Sequence, residues 1–341
     1  KFAFILRSNE WPTLIIVDVD TLSLKAQVPV GGEPIRWFRW AGPEKLLVAS
    51  SISYRADFFT GRASRLRVFD LPSRQVHNVG LEEQGMEGDD VLYTDPDGEF
   101  LLLSLSDTGF RPPSVWRIPL DGTGSENAVR ILSPQHNIDE WWADDAGIVR
   151  LGMKRTSNGA RIFYYRDSPD DDFRRISKVK QDDEGADNWD VMGLYAGTSR
   201  GYSLSKGANG RAVLRQFDYA TGQPGEIVYE NPEWDVDEVI FDPAGRPIGV
   251  RYTDDRQRSE WFDADIEKAQ SALQQALPGQ GITILSISST GRMLVLHSGA
   301  GDPGALYVYK PDQGKLDLFD NLRPEVDHRL LANPEAVTIM A

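Results

Sequence analysis

The 341-residue sequence contains no cysteine. Disulfides, zinc–thiolate sites and cysteine nucleophiles are therefore excluded. Histidine is scarce: His77, His136, His297 and His328 fall in separate parts of the chain, with no closely spaced pair to anchor a metal. No metal or cofactor is expected from them. No apolar run approaches the ~18 residues that span a bilayer. Lys1–Leu6 is too short for the apolar core of a signal peptide and reads as a strand. Basic residues are outnumbered 37 to 52, a net charge of −15, which disfavours nucleic acid and anionic membrane surfaces as partners. Phosphate-binding loops of the G-x-x-x-x-G-K-[ST] and G-x-G-x-x-G kinds are missing as well. The lack of cysteine tilts the expected setting toward periplasmic or exported rather than cytoplasmic.

What is present is a repeat. A β-rich run, a polar turn and a second run recur seven times, as in Leu14–Val28, Leu66–Val79 and Ala305–Phe319. The residues that enter these turns are Asp18, Asp70, Pro119, Arg166, Asp218, Asp263 and Lys310, spaced 45 to 52 residues apart. Six copies of another unit interleave, each two apolar strands around a tight turn, as in Ile35–Ser51, Val91–Leu105 and Val236–Tyr252. The turns DPDG, DPAG and STG supply the Asp and Gly that hairpins use. A period near 40–50 with four short strands is the pattern of propeller blades. The expected fold is all-β: a seven-bladed β-propeller of four-stranded antiparallel blades, the first blade incomplete at its N-terminal side. Residues 1–341 are expected to form one such domain. Leu101–Leu103 suits a strand buried on both faces, and Arg67–Phe69 an outer, half-exposed one. Asp263–Pro278 has helical spacing at Ile266, Ala269, Leu273 and Leu277, and predicts a short helix in a connection between blades.

Local motifs carry little chemistry. Gly197–Gly201 spells G-x-S-x-G around Ser199, but a nucleophile elbow needs a helix after the serine, and Tyr202–Lys206 reads as a strand. Ser199 is therefore expected in a hairpin turn of blade five. Asp170–Asp172 and Asp182–Glu184 lack the spacing of a calcium loop and read as solvated loop charge. Carboxylate pairs drawn from distant blades leave no local spacing, so a glycosidase pair stays open. Glu82 and Glu83 form an adjacent pair in an early loop and are the one candidate anchor for a substrate amine.

Several stretches resemble the N-terminal propeller of the prolyl oligopeptidase family of serine peptidases, and its bacterial acylaminoacyl-peptidase and dipeptidyl-aminopeptidase-like members in particular. These are Trp40–Val48, Pro113–Ile118, the W-x-x-D-x-x-G-x-V-R-x-G hairpin at Trp142–Gly152, and Ser298–Tyr309, where Gly299 replaces the usual Asp. Arg323-Pro324 and Leu330–Ala341 resemble the exit from that propeller. The resemblance covers essentially the whole chain. It implies a non-catalytic domain that covers a C-terminal α/β-hydrolase domain, absent from residues 1–341, and admits only short or unstructured peptides. The family's catalytic Ser, Asp and His lie in that hydrolase domain, and no position here matches them. The partners implied are a peptide substrate and the hydrolase domain of the same protein, and the intact parent would be a serine-type peptidase. Two other expectations stand beside this one: a free-standing propeller that binds a protein or glycan, and a propeller enzyme such as a lyase, lactonase or glycosidase.

Overall fold

The computed structural model of the chain describes residues 1–6, 13–56, 59–82, 84–106, 111–180, 188–277, 281–299, 302–327, 330–332 and 337. Seven antiparallel sheets follow one another along the chain, each built from consecutive strands. Blade one is β1 (Phe2–Leu6), β2 (Thr13–Val17) and β3 (Leu24–Val28). Blade two is β4 (Ile35–Ala41), β5 (Lys45–Ala56), β6 (Phe59–Asp70) and β7 (Gln75–Val79). Blade three is β8 (Asp90–Thr94), β9 (Phe100–Leu105), β10 (Ser114–Pro119) and β11 (Val129–Leu132). Blade four is β12 (Glu140–Ala143), β13 (Val149–Arg155), β14 (Arg161–Tyr165) and β15 (Arg174–Val179). Blade five is β16 (Trp189–Leu194), β17 (Arg200–Lys206), β18 (Ala212–Asp218) and β19 (Gln223–Tyr229). Blade six is β20 (Glu238–Phe241), β21 (Pro247–Thr253) and β22 (Gln257–Trp261), followed by helix α1 (Ala264–Ala276). Blade seven is β23 (Gly281–Ile287), β24 (Met293–Gly299), β25 (Asp302–Lys310) and β26 (Lys315–Asn321).

The seven-bladed propeller expected from the repeat is the fold, and among the described residues blade one has three strands, with none in the first-strand position. Blade six departs from the four-strand pattern. After β22 the sequence has helical rather than alternating spacing, and α1 takes the place of an outer strand. Asp263 caps it by accepting the backbone N–H groups of Asp265 and Ile266. Ala269 and Leu273 then pack with Trp261 of blade six and Ile284 and Val295 of blade seven. A second correction concerns Arg67–Phe69. It lies on the third strand of blade two, not the outermost, and Val68 and Phe69 are buried.

No blade can bury both faces alone. The structure meets this with seven apolar clusters, one between each pair of neighbouring blades, the seventh between blades seven and one. Second strands are the most buried; Leu101, Leu102 and Leu103 on β9 are 0–1% exposed, as their unbroken apolar run predicts. In each of the six blades that has a first strand, the register between first and second strands shifts once. Such bulges bend the strand and re-aim side chains.

Strand direction sorts the loops. In a four-stranded antiparallel blade, the start of the first strand and the end of the fourth lie on one face of the ring. The connectors between blades cross that face. The hairpin turns between first and second strands lie on the other.

Candidate functional site

A groove of about 1090 Å³ opens on the connector face, across blades two to four. Its walls are the entrances of β4, β8 and β12, the start of β6, and Ser106 and Arg111–Pro113 beside the ends of β9 and β10. Residues 84–89 of the connector between β7 and β8 are tied down rather than free. The Ser64 N–H donates to the Met86 carbonyl at 2.8 Å and the Gly88 N–H to Ser64 Oγ at 2.9 Å. The Gly85 N–H reaches the Ser106 carbonyl, and the Arg65 guanidinium bridges the carbonyls of Ser64 and Gly85.

Five carboxylates line the groove, Glu87, Asp89, Asp90, Asp139 and Glu140, with three arginines, Arg36, Arg62 and Arg111. Most of the acids are engaged. Asp89 accepts from Arg36 Nε and from Trp37 Nε1, both at 2.9 Å. Asp139 accepts the Arg155 N–H, and Glu140 pairs with the Arg155 guanidinium at 3.6 Å. Asp90 has no basic partner among the described residues. It faces Ser104 across the β8–β9 register, and that hydroxyl donates to it. Asp90 is open to the groove rather than sealed in the core. Crowding by the groove walls, then the charges of Glu140, Glu87 and Asp89, push its carboxyl up to about 6 against the hydrogen bond from Ser104.

Aromatic surface lies beside the acids. Trp141 is buried and donates to the Pro113 carbonyl at 3.1 Å; Trp37 and Trp142 are half-buried. The wall between β11 and β12 carries His136 and Asn137, consecutive residues with φ of +54° and +53°. His136 stacks on Tyr164 at 5.0 Å, which holds this costly conformation. The groove thus presents an uncompensated carboxyl, flanking acids and indole faces: a surface for a cationic, partly apolar ligand.

The residues singled out in the sequence are scattered. Glu82 is exposed on the same connector but does not line the groove, and Glu83 lies outside the described residues. Ser199 lies in the β16–β17 turn, on the opposite face from the groove, and β17 follows it with no helix. Structural needs account for the motif around it. The Thr198 carbonyl accepts from Arg150 of blade four at 2.7 Å. At Gly201 a Cβ would stand 1.9 Å from the Gly193 carbonyl oxygen, so only glycine fits there. His77 lies on β7 and His297 on β24, apart from His136, while His328 is outside the described residues. Asp171 accepts from Ser168 within the β14–β15 turn, and Asp182–Glu184 lie outside the described residues.

The groove acids had a signal in the sequence that went unread. Asp89-Asp90, Asp139-Glu140 and Asp237-Glu238 recur at one repeat phase, just where a first strand begins. Repeat phase brings such residues to one face near the axis, which local spacing does not reveal.

No protein-family model and no curated protein sequence matches the chain. Solved structures match it by fold. The post-proline cleaving enzyme from Rickettsia typhi is 9% identical, with a TM-score of 0.55, over 96% of this chain and 52% of that one. Oligopeptidase B from Leishmania major is 10% identical, with a TM-score of 0.52, over 94% of this chain and 47% of that one. This chain therefore spans about half the length of the peptidases it matches. At the level of fold the resemblance read from the sequence holds: the chain has the architecture of the seven-bladed propeller domains found in prolyl oligopeptidase-family peptidases.

Proposed function

We propose that this chain is the non-catalytic propeller of a prolyl-oligopeptidase-like serine peptidase, which gates peptide access to an α/β-hydrolase domain docked on its connector face. Topology supports that choice of face, because β26, the fourth strand of blade seven, ends on it. Gating works by exclusion: a ring closed by seven packed interfaces admits an extended peptide and turns away a folded protein. The observation that carries the reading is Asp90, an uncompensated carboxyl in a groove with aromatic walls on that face. It would hold the positive charge of an incoming peptide, with Glu82 exposed on the adjoining connector. Residues 1–341 alone are expected to hydrolyse no amide substrate, and Ser199→Ala is expected to change nothing.

Calorimetry with short peptides tests the groove. A tetrapeptide with a free amino group should bind at least ~10-fold more tightly than its acetylated form, and Asp90→Asn should erase that difference. Equal affinity for the two peptides would refute the assignment. The convergent carboxylates and indoles also favour a second reading, a glycan-binding propeller. It predicts that a neutral oligosaccharide binds the same groove and that neither peptide does.

A further inference from the structure

The neighbouring blades show what an acid at the entrance of a first strand pairs with. Glu140 begins β12 and meets the Arg155 guanidinium at 3.6 Å. Asp190, at the start of β16, takes Arg161 at 2.7 Å, and Glu238, which begins β20, takes Arg251 at 2.6 Å. In each case the partner is a guanidinium. Asp90 begins β8 at the same repeat phase, and among the described residues no guanidinium pairs with it. The register gives the reason. Glu238 faces Arg251 across β20–β21, whereas Asp90 faces Ser104 across β8–β9. Blade three thus carries a short, buried serine where blade six carries an arginine. Of the groove's own arginines, Arg36 is held by Asp89, and Arg62 Nε donates to the Ser51 hydroxyl at 2.9 Å.

We propose that the cation this groove is built to take is a guanidinium: an arginine side chain of the incoming peptide, laid on Asp90 where the acids of blades four to six meet arginines of this chain. The inference rests on Asp90 as a cation site and names the cation. Two features of the groove separate a guanidinium from an ammonium. An open carboxylate accepts two parallel N–H bonds from a planar fork, but meets a lysine only as a point charge. The indole of Trp142, half-buried in the same groove, gives a flat face on which a guanidinium stacks while its N–H groups stay in plane for the acid. The chain makes that kind of contact itself, with the Arg39 guanidinium 5.3 Å from the centre of the Trp37 ring. Ser104 contributes in two ways. Its small side chain leaves free the register position that Arg251 fills in blade six, and its hydroxyl donates to Asp90, which orients the carboxyl.

The probes are three capped tripeptides with no free amine: acetyl-Ala-Arg-Ala-amide and its lysine and citrulline counterparts. Calorimetry with the 341-residue chain at pH 8, where the Asp90 carboxyl is ionised, is the readout. The arginine peptide should bind at least ~10-fold more tightly than the lysine peptide and than the neutral citrulline peptide. Asp90→Asn should bring the arginine and citrulline peptides to the same affinity. Ser104→Arg would supply the missing guanidinium from within blade three and should weaken the arginine peptide at least ~10-fold. Should an arginine at that buried site prevent folding, Asp90→Asn decides alone. Leu24→Asp, at an exposed site on outer strand β3, should leave binding as it was. Equal affinity for the arginine and lysine peptides would overturn the proposal, and so would a preference that survives Asp90→Asn. Failure of all three capped peptides to bind would also overturn it. The free-amino tetrapeptide then tells the two readings apart: if it still binds more tightly than its acetylated form, only the guanidinium assignment falls, and if it does not, the cation site falls as well.

Discussion

Asp90 sets ligand affinity against stability. The carboxyl titrates near 3.8 when unperturbed and near 6 in the folded groove. Between those values the native state holds more protons than the unfolded chain, so stability falls as pH rises through that window and stays lower above it. Asp90→Asn removes the penalty. Groove water screens the charge, so the expected gain above pH 7 is about 1 kcal/mol, with none below pH 4. Urea denaturation at pH 3.5 and pH 8 reads the difference; an equal effect at both would show that Asp90 is not perturbed by its surroundings. A variant that is more stable and binds peptide less well is what a residue kept for function produces.

At the scale of elements, the Trp142–Gly152 hairpin shows how a blade grips its neighbour. Asp144 accepts the N–H groups of Ala146 and Ile148, which closes the turn. The register shift makes Arg150 the extra residue of β13. Its guanidinium turns into the interface, pairs with Asp144 at 3.6 Å, and donates to the Tyr195 and Thr198 carbonyls of blade five and to the Tyr165 hydroxyl. Both members of the ion pair are almost fully buried. Arg150→Ala would strand Asp144 without its partner and should cost roughly 3–5 kcal/mol. A loss below ~1 kcal/mol, read from denaturant midpoints, would show that the pair is dispensable. Much of this scale was legible in the sequence, because apolar runs, turn residues and a 45–52-residue period are local features. The β9 core strand, the helix at Asp263 and the hairpin turn at Ser199 all followed from them. The replacement of blade six's outer strand by α1 did not, since helical spacing fixes a helix but not the place it takes. The groove was hidden for a related reason. Asp90 and Glu140 lie fifty residues apart, and only the ring brings them together.

Among the described residues, side chains rather than a backbone ladder close the ring. Blades one and seven are separate sheets and share no strand among the described residues. What joins them is side chains. Phe2, Phe4, Val17 and Val19 pack on Leu294 and Val308, and Phe4 meets Phe319 edge-on at 4.6 Å. Arg292 pairs with Asp20 at 3.0 Å, and Lys310 Nζ donates to the Asp20 carbonyl. That ion pair is open to water on the Asp20 side and contributes little. The aromatic contact is worth more, so Phe4→Ala should cost about 3 kcal/mol, while Arg292→Ala should leave the denaturant midpoint close to the parent's. The double variant Phe4→Ala/Phe319→Ala should reveal a coupling of ~0.5–1.5 kcal/mol. Loss of Phe4 should also act locally. Amide exchange should quicken in β2 and β25 first and leave the β13–β14 pair, behind the Trp189 cluster, as slow as before. A ring that opens at one seam behaves this way, because every other interface keeps its own apolar cluster. Uniform acceleration across all seven blades would mean instead that closure is shared around the ring.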